Sequence, residues 1–509
     1  MFLKFFNPID KLINGVSMYR LLLYYLVGLL IVAIGLSAVK DMHYSPIQIG
    51  LSAIIAVIAC WIINLVFARI FEAPINPESS ILTGLIIALI IPPTLNNFGI
   101  LFVLAASGLA IASKYILTIG QKHIFNPAAI AVVLTYFGSN QGASWWMGTA
   151  MMLPFVLIGG ILITRKLRKE HMVITFLVVT AITTAVYSVI DKSGVLLNLK
   201  NMTLSSPAFF LAFVMLTEPY TSPTTRNKQL VYAGIVGFLI APQVHLGSVY
   251  TTPEIGLVIG NIFAYLVSSK TKLFPILKNK IQIARDTVEF EFLPGKQFAF
   301  EPGQYMEFTL PHENPDNRGS RRWFTIASSP TEPTLKIGVK FYEQSSSFKE
   351  AMLDINQNSQ IVAAQIAGDF VLPNDPAQKL VFIAGGIGVT PFRSMVKYLI
   401  DNRENRSVRM LYAVKTKADI AYKDVFEEAR SAIGMKTLYV LSGKQEANEN
   451  NMINGLINKR LLQRAVPDYE ECLFYISGTH DMVESVELAL LSMGVHHHNI
   501  KMDFFSGYA

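Results

Sequence analysis

Residues 216–228 read LTEPYTSPTTRNK, a charged and hydroxyl-rich segment that interrupts a series of apolar stretches in the first half of the chain. Four threonines and one serine fall within nine residues, and Glu218, Arg226 and Lys228 flank them. Polar groups at membrane depth are energetically costly and usually functional. We therefore expect this segment to carry chemistry in a membrane domain. An ordinary polar connection between two spans is the alternative.

Ten apolar windows lie on both sides of this segment in the first half of the chain, and each is a candidate membrane span. The 509 residues are 52% hydrophobic and 16% charged, which is typical of a membrane protein. Lys and Arg residues concentrate in the connections on one side, so the positive-inside rule predicts a multi-pass protein of the cell inner (cytoplasmic) membrane with its C-terminal half in the cytoplasm. The windows lie at about 21–39, 47–68, 79–93, 98–118, 126–138, 145–164, 172–190, 206–217, 229–248 and 252–269.

Charge and cysteine content exclude several classes of function. The net charge is +7, and its excess lies in the membrane loops, so it does not indicate nucleic-acid binding. Cys60 and Cys472 are too few to build a Cys-ligated iron–sulfur cluster or a Cys-based zinc site from this chain alone. The sequence therefore predicts no metal site.

Two of the windows, the third and the eighth, are short and end in the same kind of proline break. Residues 79–94 end in IIPPT, and residues 205–219 end in LTEP. A five-helix interval reverses the direction of crossing, so the pattern predicts an inverted five-helix repeat whose broken helices meet near a central site. Two ordinary proline-terminated helices would give the same pattern.

Three stretches carry a resemblance to a known family: SSILTGLIIALIIPPT (79–94), GQKHIFNPA (120–128) and TEPYTSPTT (217–225). They resemble a multi-pass membrane component of the sodium-translocating NADH:quinone oxidoreductase and its counterpart in the Rnf complex. The resemblance implies that a flavin transferase joins FMN covalently, through its phosphate, to Thr225, with Thr224 as the neighbouring candidate. It also implies a quinone-type acceptor and translocation of Na⁺ or H⁺. Glu218 stands where the family usually has Asp.

The second half of the chain has the pattern of a soluble reductase. Residues 271–280 are expected to form a linker. Alternating residues around Val288–Phe292, Phe298–Phe300 and Met306–Leu310 predict an antiparallel β-barrel over 281–375. Strand, glycine turn and helix then alternate, which predicts a parallel α/β domain over 376–509. The fold class is therefore multidomain: a polytopic helical membrane domain (1–270), a β-barrel and a nucleotide-binding α/β domain.

A glycine-rich loop follows the first buried strand of the α/β part. Leu380–Ala384 runs directly into GGIGVTPF (385–392). Glycine backbone can approach a pyrophosphate closely, and a helix N-terminus supplies free amides for it. The predicted dinucleotide contacts are Gly385, Gly386, Gly388, Thr390 and Pro391. A tight structural turn is the alternative, because the loop is not the GxGxxG fingerprint.

RWFTIAS (322–328), the serine pair 346–347 and SGTHDM (477–482) resemble the ferredoxin-NADP reductase family over residues 279–509. The resemblance implies FAD bound with its phosphate on Arg322, and hydride transfer from NADH or NADPH. Ser477 stands where many members have Cys. The implied catalytic residues are Thr325, Ser477 and Phe505, and the implied cofactor contacts are Arg322, Trp323, Phe324, Thr325, Ser346, Ser347, Gly478, Met482 and Tyr508.

Two details of the reductase half stay open. The ending Asp503-Phe504-Phe505 resembles the family's acidic-aromatic end and would cover the flavin, or it forms a hydrophobic plug. Lys415 and Lys417 would meet a 2′-phosphate, or they are solvated surface charges. NADH is favoured because the membrane half resembles NADH-linked machinery.

Joined in one chain, the two resemblances imply that electrons pass from NAD(P)H through FAD to FMN on Thr225 and then to a quinone, with or without additional redox subunits. Two other interpretations are a solute permease with an appended reductase, and a reductase that feeds a separate redox partner or an extracellular acceptor. The helix count places Thr225 on the cytoplasmic side, whereas the transferase of this family commonly acts on the other side.

Overall fold

The computed structural model describes residues 13, 16–39, 42–71, 77–119, 122–242, 244–247, 249–268, 271–316, 319–443 and 451–505. The chain divides into two compact units, residues 1–270 and 271–509. The first unit is helical, and the second combines two antiparallel sheets with one parallel sheet.

Each of the ten apolar windows contains a helix, but only four described helices are long and apolar enough to cross a membrane. The count becomes five if the bent pair Val195–Leu204 and Ala208–Leu216, which meet at 54°, is one span. The expected ten spans are therefore not confirmed. The helices are α1 (Met18–Ala38), α2 (Pro46–Ile70), α3 (Pro77–Ile90), α4 (Asn97–Ile116), α5 (Pro127–Ser139), α6 (Leu153–Leu167), α7 (Glu170–Ile190), α8 (Val195–Leu204), α9 (Ala208–Leu216), α10 (Arg226–Leu239) and α11 (Pro253–Val267).

The short helices begin and end where the local sequence requires it. Helix α3 ends at Ile90, just before the Pro92-Pro93 pair, because a residue that precedes proline disfavours the helical region. Helices α5 and α11 both begin at a proline preceded by a capping side chain, Asn126 and Thr252 respectively. The last six residues of α9 form a π-helix, Leu211–Leu216.

The helices of the first unit pack in the same order twice. Helix α2 packs on α4 and α4 on α5, just as α7 packs on α10 and α10 on α11. Likewise α1 contacts α3, and α6 contacts α9. A β-hairpin with two-residue strands joins the last two helices of each half. The pairs are β1 (Thr118–Ile119) with β2 (Lys122–His123), and β3 (His245–Leu246) with β4 (Val249–Tyr250). This order is that of a five-helix repeat, and its inversion stays a prediction.

Two antiparallel sheets form the first part of the second unit, in the strand orders β10-β7-β6 and β5-β11-β8-β9. Phe290, Phe292 and Phe308 are fully buried between them. The expected linker 271–280 is wrong, because it contains β5 and the start of β6, which pair with barrel strands. The strands are β5 (Lys272–Leu273), β6 (Ile276–Ala284), β7 (Thr287–Leu293), β8 (Tyr305–Thr309), β9 (Arg321–Thr325), β10 (Leu335–Lys340) and β11 (Val362–Ala367).

The strand expected at Phe298–Phe300 is also wrong. Residues 297–300 have no regular secondary structure, although the two rings stack on each other with centroids 5.2 Å apart. The alternating pattern that suggested a strand here reflects this stacked pair. One helix, α12 (Ser347–Asp354), accompanies the barrel strands.

The remaining residues form a six-stranded parallel sheet in the order β15-β14-β13-β12-β16-β17, as the alternating pattern predicts. Strands β12 and β16 are neighbours, with Ala384 opposite Ser477 at their carboxyl ends. Ligands of open α/β sheets bind at this edge. The elements are β12 (Lys379–Gly385), α13 (Thr390–Asp401), β13 (Val408–Val414), α14 (Lys423–Ile433), β14 (Lys436–Leu441), β15 (Met452–Asn454), α15 (Lys459–Ala465), β16 (Cys472–Thr479), α16 (His480–Ser492) and β17 (Ile500–Phe505).

A buried ion pair joins α13 to the barrel. Arg393, 5% exposed, donates to both carboxylate oxygens of Glu332, with Nη2 2.9 Å from Oε1, and also to the carbonyl of Ala327 at 3.1 Å. Burial opposes ionisation of Glu332, but the bond from Arg393 brings its pKa below the usual range. Lys336 lies 3.3 Å from the same carboxylate. The pair fixes the helix that follows the glycine-rich loop against the antiparallel sheets.

We expect Arg393→Met to lower the free energy of unfolding of the reductase unit by about 3 kcal/mol, because it leaves a buried carboxylate without its main partner. Urea unfolding of the purified protein, followed by pulse proteolysis, measures this change. Lys397→Met on the same helix removes a more exposed cation and should cost less than about 1 kcal/mol. Equal losses for the two variants would contradict the assignment.

Candidate functional site

Arg322 lies on β9 and is held in place before any ligand binds. Its guanidinium donates to Asp316 at 3.1 Å and to the carbonyls of Gly319 and Arg321 at 2.8 and 2.7 Å. It also lies 5.3 Å from the ring centre of Phe348, the second residue of α12. Arginine presents a rigid fork of donors that suits phosphate. The guanidinium therefore has a fixed orientation at the start of α12, where its donors would suit a phosphate.

The serine pair 346–347 lies at the same corner. Ser346 is the N-cap of α12 and accepts from the amide of Lys349. The hydroxyl of Ser347 accepts from the amide of Asp316 at 2.9 Å and lies 3.0 Å from His312 Nε2. Asp316 thus links Ser347 to Arg322. The structure brings together the three side chains that the resemblance assigns to the flavin phosphates.

The two aromatic residues of β9 differ in environment. Phe324 packs among barrel side chains, with its ring centre 5.9 Å from those of both Phe308 and Phe348. Trp323 is 41% exposed and meets Tyr305 edge-on at 5.3 Å. Thr325, the predicted catalytic hydroxyl, is 4% exposed and pairs across the ladder with Tyr305. The indole is therefore more exposed than the phenyl ring.

The glycine-rich loop forms a turn between β12 and α13 in which side chains would not fit. A Cβ on Gly388 would lie 2.5 Å from the carbonyl oxygen of Ser477, and one on Gly385 would lie 2.2 Å from the sulfur of Met482. Gly386 has a φ of +54°. Thr390 and Pro391 begin α13 directly after this turn. The loop therefore packs against the end of β16 and the start of α16, and its helix N-terminus opens at the ligand-binding edge of the sheet.

Ser477 lies near the carboxyl end of β16, and its buried hydroxyl is unusual. The residue is fully buried, and its Oγ has no hydrogen-bond partner among the described residues. A buried hydroxyl without a partner is costly, so such groups call for an explanation. Gly478 and Met482 follow it, and a Cβ on Gly478 would lie 3.0 Å from the Met482 sulfur. The predicted catalytic residue Ser477 and the predicted cofactor contacts Gly478 and Met482 are thus adjacent to the glycine-rich loop.

The C-terminal strand β17 lies beside β16 at this edge. Its backbone pairs Asp503 with Ser477 and Phe505 with Thr479. The predicted contact Tyr508 lies outside the described residues. Near the end of β13, Lys417 belongs to a short helical turn in which Thr416 and Asp419 bond each other at 2.8 Å.

Glu307 is a titratable group at the site that the sequence pattern did not single out. It lies on β8 and pairs across the ladder with Trp323. Burial raises the pKa of its carboxyl to about 7. Glu307 lies between the buried residues Met306 and Phe308, so its side chain is on the opposite face of β8. Nothing in the sequence shows that this face is also covered.

In the first unit, the five hydroxyl residues of the 217–225 segment differ in burial and hydrogen bonding. Thr217, Thr221 and Ser222 are buried and bonded to Phe213, Glu218 or Lys169. Thr224 and Thr225 are partly exposed, and in the described part of the chain neither hydroxyl makes a hydrogen bond. Of the five, only these two residues are not buried.

Glu218 ties this segment to two other helices. Its Oε2 accepts from Asn126 Nδ2 at 2.8 Å and from Thr221 at 3.0 Å. The amide of Asn126 donates to Asn261 Oδ1 at 2.9 Å, and Asn261 Nδ2 donates to the carbonyl of Thr221 at 3.2 Å. Two of the stretches that carry the family resemblance are therefore in direct contact. Asn261, inside an apolar window, was not predicted.

Comparison with known families places one match in each half of the chain. Residues 137–273 match the NQR2, RnfD, RnfE family, and residues 382–487 match the oxidoreductase NAD-binding domain. These two matches confirm both resemblances.

Individual relatives match less than half of the chain. The glycine betaine monooxygenase reductase subunit of Chromohalobacter salexigens is 28% identical over 219 residues, which are 42% of this chain and 59% of that protein. The flavohemoprotein of Oceanobacillus iheyensis is 25% identical over 242 residues, 46% of this chain and 58% of that protein. The chain thus spans less than two thirds of either relative. A solved Amycolatopsis cytochrome P450 reductase matches at 22% identity with a TM-score of 0.42, covering 47% of this chain and 71% of that one.

We expect Ser477→Ala to separate stability from activity. Removing a buried hydroxyl that lacks a partner should leave the free energy of unfolding unchanged or raise it by about 1 kcal/mol. NADH oxidation with a soluble artificial acceptor should fall about tenfold, equivalent to about 1.4 kcal/mol. Ser394→Ala is the matched control, because this buried serine bonds Ser328 at 2.7 Å and should lose stability but keep activity. An unchanged rate in Ser477→Ala would exclude Ser477 from the reaction.

Glu307 should make the stability of the reductase unit depend on pH. Because its folded-state pKa is raised from 4.5 to about 7, its stabilising contribution is complete below pH 4.5 and is lost as the pH rises through 7. Glu307→Gln should remove up to about 3 kcal/mol of this dependence, since one pKa unit corresponds to about 1.4 kcal/mol. Thermal melts between pH 5 and 8 measure it, with exposed Glu301→Gln as control. A wild-type slope retained in Glu307→Gln would contradict the prediction.

Proposed function

We propose that this chain, which joins an NQR2/RnfD/RnfE-type membrane region to an NAD-binding oxidoreductase domain, is a membrane NAD(P)H dehydrogenase. It carries FAD in the reductase unit and FMN on Thr225, and it reduces a quinone-type acceptor. The observation that carries the proposal is the sorting of hydroxyls in the 217–225 segment. Of five candidates, only Thr224 and Thr225 remain accessible and make no bond within the described part of the chain.

The residues of the reductase unit fit FAD and a dinucleotide. Arg322 and the Ser346-Ser347 turn would hold the flavin phosphates, and Phe324, which packs on Phe348 as Arg322 does, would pack on the flavin ring. Trp323 would be a further contact. The N-terminus of α13 would bind the pyrophosphate of the coenzyme through its free amides. No side chain fits at Gly388, which lies close to Ser477, so the backbone of the loop itself would face the coenzyme. When bound, a flavin accepts two electrons as a hydride and can release them one at a time. The Ser477 hydroxyl would orient the nicotinamide. NADH is the preferred coenzyme on the strength of the membrane family.

The position of Thr225 fits a phosphoester. It is the residue before α10, but its hydroxyl does not cap the helix. In the first half of the repeat the corresponding residue before α4 is Asn96, which does cap, accepting from the amide of Gly99 at 2.6 Å. The first turn of α10 thus keeps its amides for a negatively charged group. Arg226 adds a cation next to it.

The remaining parts of the proposal follow from the family and from charge. The positive loops favour an inner-membrane protein with its reductase unit in the cytoplasm. A flavin transferase is required as a partner, and additional redox subunits are compatible with the family. Coupled translocation of Na⁺ or H⁺ is proposed from the family alone.

We expect Thr225→Val to abolish flavin fluorescence of the denatured protein on a gel under ultraviolet light, because valine keeps the shape and removes the oxygen that is esterified. Quinone-dependent NADH oxidation should fall at least about tenfold, whereas reduction of a soluble acceptor by the reductase unit should persist.

Thr224→Val is the matched control and should retain both properties. If fluorescence instead disappears only in Thr224→Val, the anchor is the neighbouring threonine. If wild-type protein made together with a flavin transferase carries no covalent flavin, the proposal is wrong.

A further inference from the structure

Lys169 is a buried lysine in the connection between α6 and α7. It is 8% exposed, whereas Arg165 and Lys166 at the end of α6 and Arg168 in the connection are more exposed. An unpaired buried ammonium costs several kcal/mol. A general preference for positive charge in cytoplasmic loops is satisfied by its neighbours, so it does not explain why this lysine is buried.

The ammonium of Lys169 bonds two residues of the 217–225 segment. Nζ donates to the carbonyl of Thr217 at 2.9 Å and to the hydroxyl of Ser222 at 2.5 Å. Ser222 in turn donates to the carbonyl of Glu218 at 2.7 Å. The lysine therefore joins Thr217, which follows the π-helix, to Ser222, which precedes Pro223.

A second contact from α7 holds the next residue. His171 Nε2 lies 2.7 Å from Gln229 Oε1, and Gln229 Nε2 donates to the carbonyl of Pro223 at 2.9 Å. Residues 217–223 are thus fastened to the first turn of α7 by side-chain hydrogen bonds. Thr224 and Thr225 follow the last fastened residue and remain outside these contacts.

We propose that Lys169 is a positioning residue for covalent flavin attachment, an inference that rests on the proposed function of Thr225. Its ammonium holds the segment in the conformation that the transferase accepts. In the transfer, the Thr225 oxygen forms a bond to the phosphorus of the FMN part of FAD, the pyrophosphate bond breaks, AMP leaves, and the hydroxyl proton passes to solvent. No electrons are exchanged. Lys169 does not touch the reacting atoms.

The test is flavin transfer in vitro, using full-length protein made without a transferase and then supplied with a bacterial flavin transferase and FAD. When only a fraction of molecules holds the competent conformation, the apparent affinity falls by that fraction. For Lys169→Met we expect the KM of the transferase for this protein to rise at least about tenfold, with kcat nearly unchanged. Lys200→Met, an exposed lysine of α8, is the matched control and should behave as wild type.

Folding is monitored by the elution profile and the melting temperature in detergent. A purely structural lysine would lower the melting temperature and the amount of modifiable protein, but it would leave KM unchanged in the folded fraction. Folded Lys169→Met with a wild-type KM therefore overturns the inference.

If Lys169→Met does not fold, Ser222→Ala decides, because it removes one of the two contacts and leaves the lysine paired with Thr217. A rise of about threefold in KM supports the inference, and a wild-type KM overturns it. Absence of flavin on wild-type Thr225, shown by mass spectrometry of the peptide, would instead refute the proposed function itself.

Discussion

A charged group that leaves water must find its partners within the protein, and this requirement shapes both units of the chain. In the reductase unit, Arg393 and Glu332 compensate each other between α13 and the barrel. In the helical unit, Glu218 receives hydrogen bonds from Asn126 and Thr221, and Lys169 donates to Thr217 and Ser222. Each set joins elements that are distant in sequence. The polar side chains therefore determine where the functional loops lie, and the apolar core fills the space between them.

Two hydroxyls at the candidate sites have no hydrogen-bond partner in the part of the chain that the structure describes. Among the described residues, Ser477 keeps a buried hydroxyl without a partner beside the glycine-rich loop. Thr225 precedes a helix without capping it, although Asn96 caps the equivalent helix. Both are small hydroxyl residues at the end of an element, where a ligand can supply the missing bond. A bound coenzyme at Ser477 and a phosphoester at Thr225 would each complete the hydrogen bonding that the protein leaves open.

Local patterns predicted the parts of the fold that depend on local chemistry. The strand, turn and helix around residues 380–392 followed from a buried apolar run, three glycines and a proline, and the structure has them in that order. Each apolar window became a helix, but window length did not distinguish a full span from a short helix that ends at a proline. Phe298 and Phe300 alternate like a strand and instead stack on each other. The burial of Lys169, Asn261 and Glu307 depends on tertiary packing, so no periodicity in the sequence could show it.

The position of the 217–225 segment follows from the repeat in the helical unit. Asn126 caps α5 and Asn261 lies in α11, the fifth helices of the two halves, and both bond the segment between Glu218 and Thr221. A hydroxyl-rich turn between two ordinary spans would need no contact with either half. Because this turn bonds to both, it lies at the junction between the halves of the repeat. Under the proposed function, an anionic cofactor attached to this turn would place its charge beside contacts that reach both halves of the repeat.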